Sequence, residues 1–63
     1  MEQITFIWNN HIHHGVIIKE TPHGIIGMKT EIVCDNGLSF NIYGKCQQGD
    51  CGPFNVLSIT TNN

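Results

Sequence analysis

A chain of 63 residues has room for one domain and a thin core, and a net charge of −2 with only 13% charged residues is neither a basic footprint nor an acidic tail. Arginine, the usual bidentate grip on phosphate and guanine, is absent, and so is alanine, the best helix former, while ten residues are isoleucine. That composition argues against a helical bundle and against a strongly basic nucleic-acid binder, and for one small all-β domain over residues 1–63. No apolar run approaches the roughly 20 residues of a membrane span, and the start Met1-Glu2-Gln3 lacks the basic stretch of a signal peptide, so a cytoplasmic protein is expected. Lysine, isoleucine and asparagine in place of arginine and alanine suit an AT-rich genome, which makes a phage or mobile-element origin plausible.

Turn residues cut the chain into five extended pieces near Gln3–Trp8, His11–Glu20, Ile25–Cys34, Leu38–Cys46 and Phe54–Thr61. The short links between them, Asn9-Asn10, Thr21-Pro22-His23-Gly24 and Asp35-Asn36-Gly37, favour hairpins. The expected fold is a small five-stranded antiparallel meander, with closure into an SH3-like or OB-like barrel as its further form. Alternation fixes a register. Leu38, Phe40, Ile42 and Gly44, and Ile26, Met28, Thr30, Ile32 and Cys34, share an inward parity, so a three-residue loop Asp35-Asn36-Gly37 should pair Cys34 with Leu38 and put Gly37 in the left-handed position. The same grammar applied to Pro22-His23-Gly24 sets Thr21 opposite Ile25. It sends Ile12, Ile18 and Ile26 inward with Phe6 and Trp8.

The outward face is then too apolar for a solvated sheet. Ile7, Ile17, Ile25, Val33, Tyr43 and Ile59 form the expected interface, and a small core also calls for extra burial. The leading reading is a non-enzymatic binding module whose partner is another protein or a second copy of itself, a homo-oligomer, with an inhibitor of a host factor as its biological setting.

Candidate chemistry is sparse. Cys46 and Cys51 flank a polar insert and could remain reduced, form a disulfide, or join His23 at the same end as zinc ligands; no other cofactor is implied. An odd number of cysteines argues against a purely disulfide-built fold, and Cys34 reads as a small buried hydrophobe. His11 and His13 share one face of a strand, with His11 expected across from Asp35, but no third metal ligand lies nearby. No nucleophile motif, phosphate loop or carboxylate pair is present, so no catalytic residue is assigned and an enzyme is not expected. The competing reading is a single-stranded nucleic-acid barrel in which Lys19, Lys29 and Lys45 make one small patch. Three phosphate contacts would bind weakly, and nucleic acid is the less favoured partner.

Overall fold

A computed structural model describes residues 1–44 and 48–61. The described residues form six strands and a single 3₁₀ turn: β1 (Glu2–Trp8), β2 (His11–Pro22), the turn Gly24–Ile26, β3 (Met28–Cys34), β4 (Ser39–Tyr43), β5 (Gly49–Cys51) and β6 (Phe54–Thr61). All ladders are antiparallel, in the spatial order β4-β3-β2-β1-β6-β5. The all-β meander expected from the sequence is the fold, with a sixth strand, β5, inside what reads as a loop. Because β6 returns to pair with β1, the order is that of an up-and-down barrel cut between β4 and β5. The sheet accordingly curls into a half-barrel.

The curl is visible in the interior. Phe40 on β4 lies at one end of the strand order and Phe54 on β6 near the other, yet their rings meet edge to face at 6.0 Å. Phe6 sits between them, 5.3 Å from Phe40 and 5.6 Å from Phe54, and is completely buried. Ile4, Ile17, Ile32, Ile42, Val56, Cys34 and Cys51 complete the core, with Trp8 and Ile59 packed against it half-buried. At the cut edge, the Cys51 thiol points its Sγ at the Tyr43 carbonyl, 3.9 Å away.

Local chemistry explains the turns. Asn9 and Asn10 both take left-handed φ values, 52° and 64°, which is the type I′ pair that matches hairpin twist and that asparagine tolerates. It sets Trp8 opposite His11. The β3–β4 hairpin is the one expected: Cys34 N–H donates to the Leu38 carbonyl, Gly37 N–H donates to Cys34, and Gly37 has φ 87°.

The β2–β3 hairpin departs from expectation. Its loop spans five residues, with Pro22 opposite Met28, and His23 N–H closes it by donating to the Gly27 carbonyl at 2.7 Å. Gly24 and Gly27, at φ 57° and 105°, let the chain wind into the 3₁₀ turn that carries Ile25 and Ile26 into solvent. Thr21 therefore faces Lys29 rather than Ile25, and Glu20 faces Thr30 rather than Ile26.

Two bulges correct the inward and outward assignment. In β2, Ile17 pairs with Ile32 and Lys19 with Glu31, which leaves Ile18 as the extra residue. In β6, Val56 pairs with Phe6 and Ser58 with Thr5, which leaves Leu57 extra. Each bulge reverses the parity of its strand. Together with the two-residue Asn9-Asn10 turn, the β2 bulge places His13, Gly15 and Ile17 inside and Ile12 and Ile18 outside, the opposite of the sequence expectation. Gly15 is required there, because a Cβ would come within 2.7 Å of the Ile32 methyl and 2.9 Å of the Val33 carbonyl oxygen.

Candidate interaction surface

The inner wall is chemically unusual at one point. His13 is buried among aromatic rings: it stacks on Phe6 at 5.4 Å and 19°, and meets Phe40 at 5.0 Å and Trp8 at 6.1 Å edge-on. Its Nε2 is buried with no hydrogen-bond partner among the described residues. An imidazole accepted in this position acts as a flat ring that completes the aromatic cluster, at the desolvation cost of one nitrogen. The next residue on the strand faces the other way, with His14 Nδ1 3.1 Å from the Thr5 hydroxyl across the ladder, while His11 shares the face of His13 but is exposed beside the turn. Asp35 meets this strand through His14, to whose carbonyl its N–H donates, and not through His11. A shallow cavity of about 130 Å³ lies where the β2–β3 ladder ends, lined by Ile12, His13, His14, Cys34, Asp35 and Asn36. Burial, and then the neighbouring Asp35 carboxylate, push the Cys34 thiol above its ordinary range. That thiol is kept neutral and is a poor nucleophile.

The residues expected to form the interface divide. Ile17 is core, 8% exposed, because the β2 bulge turns it inward, and Ile59 is half-buried against the core because the β6 bulge does the same. Ile7 is half-buried, while Val33 and Tyr43 are exposed on β3 and β4, and Ile25 is fully exposed on the 3₁₀ turn. Sequence reasoning missed Ile12, Ile18 and Leu57. The signal for the last two is an aliphatic pair, Ile17-Ile18 and Val56-Leu57, that breaks alternation within a strand.

The outer wall carries aliphatic residues at two places, on either side of the paired His14 and Thr5. Ile7 stands opposite Ile12, and Val16 opposite Val33, on neighbouring ladders. Ile18 is exposed at the bulge, and Ile12 and Ile18 are 61% and 54% exposed. Exposure of that degree leaves both side chains outside the core.

The residues of the other readings are scattered. His23 packs its ring against Tyr43, 5.3 Å between centroids, whereas Cys51 is buried in β5 and Cys46 lies outside the described residues. Among the described residues no three histidine, cysteine or acidic side chains come close enough to hold a metal ion. Lys19 faces Glu31, and Lys29 stands between Thr21 and Tyr43; Lys45 lies outside the described residues. No helix among the described residues is long and apolar enough to cross a membrane. No protein-family model, no curated protein and no solved structure matches this chain.

Proposed function

We propose that this chain is a non-enzymatic binding module that presents the outer wall of its half-barrel to another protein surface, in the first instance a second copy of itself. The observation that carries this reading is the set of aliphatic residues on the outer wall, Ile7, Ile12, Val16, Val33 and Ile18, which the core does not use. A domain of this size buries too little of its own surface to be comfortable as a monomer, and a two-fold pairing of one patch is the commonest remedy. The bulge at Ile18 supports the same view, since it extrudes an isoleucine where a polar residue would serve a solvated wall better. An AT-rich composition and minimal size fit a phage or mobile-element protein that acts on a host factor through such a surface. The nucleic-acid reading draws less support: Glu31 stands opposite Lys19, and Phe6 and Phe54 pack on one another instead of facing solvent.

The test is size-exclusion chromatography with light scattering over a concentration series. The wild-type chain is expected to dimerise, and the double substitution Ile12→Lys, Ile18→Lys to give a folded monomer by circular dichroism. A wild-type chain that stays strictly monomeric at high concentration ends the self-association reading.

A further inference from the structure

Asn36-Gly37 in the β3–β4 hairpin is the one Asn-Gly step in the sequence. We propose that it is a modification site, hydrolysed by water through a cyclic imide, and that the hairpin itself gates the reaction. The chemistry needs the Gly37 backbone nitrogen to lose its proton and attack Asn36 Cγ. The new N–Cγ bond forms as the Cγ–Nδ2 bond breaks, and ammonia leaves with the proton. Water then opens the imide on either side, giving aspartate or the isoaspartyl linkage. Glycine is the favourable successor because no side chain obstructs the attack. Here the space around Gly37 is open as well, with nothing within 4 Å of where a Cβ would stand, and Asn36 is exposed, so water reaches the imide.

The folded hairpin occupies both reacting groups. The Gly37 N–H donates to the Cys34 carbonyl at 2.9 Å, which opposes its deprotonation. Asn36 Oδ1 accepts from the Leu38 N–H at 3.1 Å, which fixes the side-chain amide in one orientation. Reaction therefore requires the turn to open. Once it occurs it is not undone, and each product alters the turn. Aspartate adds one negative charge beside Asp35 and takes the net charge from −2 to −3. The isoaspartyl form adds a methylene to the main chain of a three-residue loop, so Cys34 and Leu38 no longer meet, and edge strand β4 loses the turn that sets its register. The hairpin thus works as a one-way recorder of its own opening.

The experiment compares the full chain in mildly alkaline buffer with the same chain in guanidinium chloride, followed by peptide mass mapping over time. The denatured chain is expected to acquire the amide-to-acid mass change at Asn36, and the native chain to do so roughly tenfold more slowly, the effect of opening two modest hydrogen bonds. Equal rates in the two states would overturn the gating. Earlier conversion at Asn9, Asn10, Asn41 or Asn55 in the denatured chain would overturn the assignment of the site. Asn36→Ser is expected to abolish the signal from this peptide, and a mass change persisting there would count against the mechanism.

Discussion

Ile17 and Ile18 are adjacent and chemically identical, yet one is 8% exposed on the inner wall and the other 54% exposed on the outer wall. The difference comes from the ladder, not from the side chains. Ile17 meets Ile32 in register, whereas Ile18 is the residue β3 does not match. The inner wall is specified by mutual contact: rings from β1, β2, β4 and β6 touch one another across the curl. The outer wall is specified only by what that packing leaves over. An apolar residue inside is accounted for by the fold, and one outside is not.

The largest expected effect follows from that contrast. Ile17→Ala should cost about 2–5 kcal/mol, the usual range for a truncated core aliphatic, and a 63-residue domain has little stability to spare. Ile18→Ala should stay within about 0.5 kcal/mol for the monomer, as exposed substitutions do. Urea titration of both variants at a concentration below self-association measures the two values. Equal costs would mean that the bulge is misplaced and that both isoleucines share one environment.

A second substitution sharpens the account of the inner wall. His13→Phe keeps a flat ring among Phe6, Trp8 and Phe40 and removes the buried nitrogen that lacks a partner. Stability is expected to rise by about 1 kcal/mol. Destabilisation in the same titration would show that the imidazole makes a hydrogen bond worth keeping, and would give the cavity beside Cys34 a polar role.

Much of this was legible in the residues. Asp35-Asn36-Gly37 carries its turn in three adjacent side chains, so the pairing of Cys34 with Leu38 and the left-handed Gly37 follow from local chemistry alone. Pro22-His23-Gly24 looks like the same signal. There, however, a second glycine at Gly27 allows the longer loop, and His23 closes it by donating to Gly27, which lies outside the proposed turn. The bulges were half legible. Asn9-Asn10 as a two-residue turn makes the inner parity of β2 odd, while β3 is even, and an irregularity is needed to reconcile them. Its location depends on which isoleucine fits against Ile32, a tertiary matter that spacing does not encode. The candidate surface inherits that gap: Val33 and Tyr43 were placed outward by alternation and are exposed, while Ile17 and Ile12 exchanged places with the bulge.

The smallest expected effect tests how dry the inner wall is next to that surface. Cys34 is buried while Asp35, one residue on, is exposed, and burial first and the Asp35 carboxylate second raise the thiol above its ordinary value of 9.0. In the unfolded chain the thiol ionises near 9.0; in the folded chain it holds its proton to higher pH, so the native state binds more protons in that interval. Stability must then fall with rising pH. The contribution is complete below 9.0 and is lost as pH climbs through the higher folded value. Cys34→Ala removes the titration but leaves every other ionisable group in place, so the wild-type minus variant difference isolates it. That difference, read from denaturation midpoints between neutral pH and well above 9.0, should be flat at first and then shrink as the wild type alone weakens. A difference that stays constant across the whole range would place water against Cys34, and with it the inner wall would lose its contrast to the outer one at this end of the sheet.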